Sequence, residues 1–170
     1  MKQIVLLCGV PYCGKTTFLK KTNAPCIIMD EFLQKRYKTD SQKTVEMRLS
    51  QEGHQRAFAD IAKEAVQKAR ESESEAPFFI EWTFTLRHER TEMLAALKAS
   101  GAEDIDCICL DGIPFEELFK RCCDSERKFK YPMDVLMDRC KRLELPAKWE
   151  GFNEVVILQP KNGGGSSTAE

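Results

Sequence analysis

Residues 9–16 read GVPYCGKT, and they follow directly after the apolar run IVLLC at residues 4–8. The spacing G-x-x-x-x-G-K-T is typical of a strand that passes through a glycine-rich turn into a helix. Such a turn directs several backbone N–H groups and the positive end of the helix dipole at one point, where an anion is favoured. The stretch therefore predicts a phosphate-binding loop between the first strand and the first helix.

The residue types of this stretch suit a nucleoside triphosphate. Its glycines allow positive φ and a close approach of the backbone to phosphate oxygens. Lys15 would reach the β- and γ-phosphates and act in catalysis, and the Thr16 hydroxyl would bind Mg²⁺. We therefore predict ATP and Mg²⁺ as ligands. The residues expected to contact them are Gly9, Tyr12, Cys13, Gly14, Lys15, Thr16 and Thr17.

The length and composition of the chain suit one globular domain. It has 170 residues, of which 42% are hydrophobic, and this is enough for a full core. We predict a single domain over residues 1–160. Residues 161–170 are predicted to be a flexible tail, because they are rich in glycine and serine and have little apolar surface to bury.

Charge and cysteine usage exclude several classes of protein. The 26 basic and 27 acidic residues give a net charge of −1, so no overall field marks the chain as a nucleic-acid binder. The eight cysteines show no C-x-x-C spacing, which argues against structural zinc. The chain opens on a charged residue and a core strand, and no apolar stretch is long enough to span a bilayer. We expect a cytoplasmic protein with no membrane contact and no obligate protein partner.

Apolar runs and helical patterns alternate along the whole chain. Strands are predicted at 4–8, 26–29, 78–82, 105–110 and 155–158, and helices at 14–23, 41–70 with a break near Gly53, 87–100, 114–123 and 132–143. Continuous apolar strands separated by helices indicate a parallel sheet covered on both faces. The predicted fold is α/β: a P-loop NTPase of three α/β/α layers, with a five-stranded parallel sheet and a short helical lid.

Ligands of such sheets bind at the carboxyl ends of the strands, where two acidic residues stand. Asp30 follows the second strand. Its carboxylate could take a proton from an attacking hydroxyl, hold Mg²⁺ through water, or serve as a helix N-cap. Glu81 ends the third strand next to Trp82, and we predict it as a metal ligand. Successive side chains of a strand point to opposite faces, so only one of Glu81 and Trp82 should face the site.

The segment 120–132 joins two predicted helices and contains five cations. Because phosphoryl transfer depends on cations that meet the charge of the transferring group, Arg121 and Arg127 are predicted to act in catalysis from a closing lid. The alternatives are an ordinary solvated surface, or contacts from residues 128–131 to a polynucleotide through charge and stacking.

With these residues in place, most of residues 2–159 resembles the small P-loop kinases related to the kinase domain of phage polynucleotide kinase. The stretches that carry the resemblance are GVPYCGKTT at 9–17, MDEF at 29–32, FIEWT at 79–83, RHER at 87–90, EELFKR at 116–121, PMDVL at 132–136 and ELPAKWEGFNEV at 144–155.

The resemblance implies a kinase that uses ATP·Mg, with Asp30 as the base for the acceptor hydroxyl and Arg121 and Arg127 in the lid. Leu33 stands where the family's acidic motif ends in an arginine that binds the acceptor's phosphate, and Arg36 is the nearest arginine. Trp82 stands where the family's third strand ends in an aspartate. The acceptor expected is a nucleic-acid 5′-hydroxyl or a small metabolite. The alternative function is a nucleotide-dependent switch or partner-binding module without transfer.

Overall fold

A computed structural model describes residues 2–126 and 131–159 of the chain. Its strands and helices alternate as the apolar pattern predicts, but three helices lie between the second and third strands instead of the one broken helix predicted at 41–70. In chain order the elements are β1 Ile4–Cys8, α1 Lys15–Thr22, β2 Cys26–Ile28, α2 Met29–Tyr37, α3 Gln42–Glu52, α4 His54–Glu71, β3 Phe78–Glu81, α5 Arg87–Ala99, β4 Ile105–Leu110, α6 Phe115–Asp124, α7 Met133–Lys141, a short 3₁₀ helix Lys148–Glu150, and β5 Val155–Leu158.

The five strands form one parallel sheet in the order β2-β3-β1-β4-β5. The central strand is β1. On one side of it lie β3 and β2, and on the other lie β4 and β5. The carboxyl ends of β1 and β3 are neighbours, with Leu7 in register with Glu81. This is the edge at which a parallel α/β sheet binds its ligands.

The central strand is buried on both faces because helices cover the sheet from both sides. Ile4, Leu6 and Cys8 belong to one apolar core, which α4 and α5 complete. Val5 and Leu7 point the other way, into a second core closed by α1, α6 and α7. These layers confirm the predicted α/β/α architecture and its five-stranded parallel sheet. No helix within the described residues has the length and apolar content to cross a membrane.

Two strand ends and one additional helix differ from the prediction in ways that affect the site. Met29 begins α2 instead of ending β2, because β2 pairs with its one neighbour over Cys26–Ile28 only. Trp82 lies beyond the end of β3, and the 3₁₀ helix Lys148–Glu150 was not predicted. The break near Gly53 is confirmed, with φ of 88° at that glycine. The predicted tail at 161–170 lies outside the described residues.

A fully buried ion pair fixes the loop that follows β3. Both Arg90 and Glu150 have side chains with 0% exposure, and two N–H groups of Arg90 donate to the two carboxylate oxygens at 2.8 and 2.7 Å. A third N–H of Arg90 donates to the backbone oxygen of Phe84 at 2.9 Å. The pair therefore joins α5, the loop after β3 and the 3₁₀ helix.

Removing one partner should be costly, because the other charge would stay buried without compensation. We expect Glu150→Ala to lower the free energy of unfolding by about 3–5 kcal/mol, measured by urea denaturation. The double variant Arg90→Met/Glu150→Met should lose less than the single variant. Glu64→Ala, which breaks the exposed Glu64–Lys68 pair, serves as the control and should change stability by less than about 1 kcal/mol. Equal effects of Glu150→Ala and Glu64→Ala would contradict this account.

Candidate active site

The loop between β1 and α1 has the backbone that its glycines predict. Gly9 has φ of 141° and Gly14, which precedes α1, has φ of 105°. A Cβ added at Gly9 would lie 2.6 Å from the backbone oxygen of Leu110 and 2.7 Å from the Sγ of Cys13. Side chains are therefore excluded at Gly9 by both conformation and space, and the loop can pack closely over the end of β4.

Lys15 is almost fully buried at the start of α1, with 7% exposure. Its Nζ donates to the backbone oxygens of Gly9 at 2.8 Å and Val10 at 3.1 Å. The Oε1 of Glu81 lies 3.8 Å from the same Nζ. The cation is thus held inside the loop by two carbonyl dipoles and one carboxylate from the neighbouring strand.

Cys13 fills the interior of the loop and has no exposed surface. Its Sγ lies 3.8 Å from the Nζ of Lys15. Burial raises the pKa of the Cys13 thiol, and the nearby positive charge of Lys15 opposes this shift only in part. The thiol therefore stays protonated near neutral pH, and Cys13 acts as a packing residue of the loop rather than a nucleophile.

Asp30 lies in the first turn of α2, across from the loop. The indole N–H of Trp82 donates to its Oδ1 at 3.2 Å. Glu81 and Trp82 both line the space between the loop and Asp30, so the expectation that only one of them faces the site is wrong. The reason is that β3 ends at Glu81, and the alternation of a strand does not extend to Trp82.

Residues of α6 and of the segment before α7 close the cleft from the other side. Arg121 donates to the backbone oxygen of Tyr12 at 3.4 Å and to Glu117 at 2.8 Å. The backbone N–H of Tyr131 donates to the phenol oxygen of Tyr12 at 3.3 Å, and the two rings meet edge to face at 6.1 Å. Arg121 thus contacts the phosphate-binding loop, while Arg127 lies outside the described residues.

These elements enclose a cleft of about 730 Å³. It is lined by Asp30, Glu81, Arg121 and all the predicted loop residues except Gly9. Gly9 packs against the end of β4 instead. The lining residues are Pro11, Tyr12, Cys13, Gly14, Lys15, Thr16, Thr17, Phe18, Lys21, Asp30, Glu81, Trp82, Thr83, Leu110, Arg121, Ser125, Tyr131, Leu158 and Gln159. A cleft of this size is in the range of small-molecule sites.

The cleft offers few ligands for a metal ion by itself. Within residues 2–126 and 131–159, no three His, Cys, Asp or Glu side chains converge in a way that could hold one. Thr16 and Glu81 both line the cleft, and hydroxyl and carboxylate oxygens suit Mg²⁺. Because Mg²⁺ is commonly bound by one or two protein ligands together with substrate phosphates, the residues fit a metal that arrives with a nucleotide.

Comparison with known proteins identifies the fold. The chain matches no protein-family model, and no curated protein matches it. The shikimate kinase from Bacteroides thetaiotaomicron is similar in structure, with a TM-score of 0.55, 17% identity, and coverage of 91% of this chain and 86% of that one. The shikimate kinase from Aquifex aeolicus vf5 gives a TM-score of 0.48 at 20% identity, with the same two coverages of 91% and 86%.

The first of these likenesses, together with the strand order, shows that the chain shares the α/β fold of that protein, with its phosphate-binding loop after the first strand. It does not single out the polynucleotide kinases that the sequence resembles. At this identity the likeness concerns the fold, and the roles of individual residues remain predictions.

Gly9 offers a direct test of the loop geometry. Gly9→Ala should combine the strain of a positive φ with a collision at the Leu110 carbonyl, so we expect ATP affinity to fall at least about tenfold. The measurement is isothermal titration with ATP·Mg, accompanied by circular dichroism. Gly53→Ala is the matched control, because Gly53 also has positive φ but open space around its Cα. Unchanged ATP affinity in Gly9→Ala would contradict a tightly packed phosphate-binding loop.

Proposed function

We propose that this chain is an ATP-dependent phosphotransferase that moves the γ-phosphoryl group of ATP to a hydroxyl acceptor. The observation that carries the proposal is a single cleft lined both by the phosphate-binding loop and by the carboxylate of Asp30. The N–H donors and the cation that would bind the phosphates lie on one side of this cleft. The base that would accept the hydroxyl proton lies on the other side. The structural likeness to a shikimate kinase adds support for phosphotransfer and leaves the acceptor open.

In the proposed reaction the acceptor oxygen attacks the γ-phosphorus, and the bond between that phosphorus and the β,γ-bridging oxygen breaks. The hydroxyl proton passes to Asp30, and the products are a phosphate monoester and ADP. The indole N–H of Trp82 donates to one oxygen of Asp30, and this bond fixes the carboxylate relative to β3. Trp82 therefore acts as a positioning residue for the base.

The other residues meet the phosphates. Lys15 would exchange its two loop carbonyls for β- and γ-phosphate oxygens, and the backbone N–H groups at the start of α1 would bind the same group. Mg²⁺, bound with the nucleotide near Thr16 and Glu81, would neutralise charge on the phosphates. Arg121 already contacts the loop through Tyr12, from where it could stabilise charge during transfer.

Two substitutions separate binding from transfer. Asp30→Asn keeps the shape of the side chain and removes its basicity, so we expect ATP affinity near the wild-type value and a rate of transfer lower by about 10²- to 10⁴-fold. Lys15→Ala removes the cation of the loop and should weaken ATP binding itself. Both quantities are measured in parallel, by ATP titration and by transfer from γ-labelled ATP to pooled hydroxyl acceptors that include RNA and DNA ends.

The matched control is Asp104→Asn, which lies just before β4 at the opposite end of the strands and should change neither quantity. Full transfer by Asp30→Asn would remove Asp30 as the base. Joint loss of binding and transfer in that variant would make Asp30 part of the nucleotide site. Tight ATP binding with slow hydrolysis and no transfer to any acceptor, in the wild-type protein, would instead favour a nucleotide-dependent switch.

A further inference from the structure

A second, smaller pocket of about 170 Å³ adjoins the candidate active site on its Asp30 side. Trp82, Thr83 and Tyr131 line both spaces. Because Trp82 also donates to Asp30, the smaller pocket lies next to the proposed base. We call it the acceptor pocket; its other lining residues come from α2, α3, α4, α5 and α7.

The acceptor pocket carries a surplus of negative charge among the described residues. Its lining includes the carboxylates Glu46 and Glu89 and a single cation, Arg139. The guanidinium of Arg139 lies 4.0 Å from Glu89, so these two charges offset each other. Glu46 forms no ion pair with the part of the chain that is described. The larger cleft has the opposite character, with three cations, Lys15, Lys21 and Arg121, against the carboxylates of Asp30 and Glu81.

These charges affect the pKa of Tyr131, which lines both spaces. Burial raises the pKa of its phenol, and the negative charges of Asp30 and Glu46 raise it further. Arg139 lowers the pKa, but by less than these causes together. Burial and the carboxylates of both spaces therefore act in the same direction on the phenol of Tyr131.

One polar side chain of the acceptor pocket also lacks a hydrogen-bond partner among the described residues. Gln42 is nine-tenths buried at the start of α3, and its side-chain amide makes no hydrogen bond to any described residue. This amide can both donate and accept hydrogen bonds, so a polar ligand in the pocket could bind to it. His54 and Trp82 add aromatic surface, with ring centroids 6.3 Å apart.

Arg36, the arginine closest in sequence to the expected acceptor-binding position, is held elsewhere. Leu33, which stands where the resemblance implies a phosphate-gripping arginine, is buried and lines the acceptor pocket. Arg36 is bound by Glu52 and by Asp60, whose Oδ2 lies 2.7 Å from the guanidinium. It fastens α2 to α3 and α4 and leaves the acceptor pocket without an unpaired cation among the described residues.

From these contacts we infer that the acceptor is a small hydroxyl compound with a protonated amine, and that the amine binds in the acceptor pocket. Glu46 would pair with the ammonium group, Gln42 would hydrogen-bond to the compound, and the face of Trp82 would pack against it. The hydroxyl group would then face Asp30. This inference rests on the kinase function proposed above.

The test uses two matched series of acceptors with the full-length protein. One is aminopropanol, propanediol and hydroxypropionate, and the other is glucosamine, glucose and glucuronate; each offers an amine, a neutral and a carboxylate form of one skeleton. A 5′-hydroxyl dinucleotide with a 3′-phosphate represents nucleic acid. We expect kcat/KM for the amine to exceed that for the neutral form by roughly tenfold, with the carboxylates and the dinucleotide lowest.

Glu46→Gln should abolish most of the preference for the amine and leave the KM for ATP unchanged. Glu103→Gln, another exposed carboxylate, is the matched control and should leave the preference intact. A preference for the carboxylate, neutral or dinucleotide acceptor, or an amine preference that survives in Glu46→Gln, would overturn the inference while the kinase function stands.

A binding measurement keeps the two proposals distinguishable. The chain has two tryptophans, so Trp149→Phe leaves Trp82, which lines the acceptor pocket, as the single tryptophan, whose fluorescence is excited selectively over that of tyrosine. Titration should show tighter binding of the amine than of its neutral form in this background, and loss of the difference when Glu46→Gln is added. Amine binding without phosphoryl transfer would contradict the kinase function alone. Transfer without selective amine binding would contradict the inference alone.

Discussion

The candidate site depends on the backbone pairing between the carboxyl ends of β1 and β3. The N–H of Trp82 donates to the Leu7 oxygen at 3.3 Å, and the N–H of Gly9 donates to the Thr83 oxygen at 3.0 Å. These two bonds continue the sheet past the last paired residues and tie the start of the phosphate-binding loop to the segment that carries Glu81 and Trp82. Lys15 and Asp30 come from different helices, but both are joined to this sheet, Lys15 through the loop after β1 and Asp30 through β2 and its bond from Trp82.

Charge is divided between two neighbouring compartments. Cations and helix N–H groups face the larger cleft, where a triphosphate would need them, while carboxylates outnumber cations among the described residues that line the acceptor pocket. Such a division favours a donor and an acceptor of opposite charge and disfavours a second anion beside the phosphates. The buried Arg90–Glu150 pair holds the loop after β3, and with it the wall that the two compartments share.

Local patterns in the sequence predict much of this arrangement. The spacing of residues 9–16 predicts the strand, turn and helix, and the apolar runs predict all five strands and the α/β/α layers, which the structure confirms. The sequence could not predict that Trp82 faces the cleft, because the end of β3 depends on pairing with its neighbours. Arg90 and Glu150 are 60 positions apart, and only the tertiary structure brings them together. The acceptor pocket likewise forms where separate helices meet, without a local signature.

In the proposed function, one cleft holds a nucleotide and passes its terminal phosphoryl group to a hydroxyl. The most direct measurement follows the label from γ-labelled ATP in a mixture of hydroxyl compounds and separates phosphate esters from inorganic phosphate. We predict that the label accumulates in a phosphate ester, with one ADP formed for each ester. Label recovered only as inorganic phosphate, at a rate that no hydroxyl compound increases, would contradict this function.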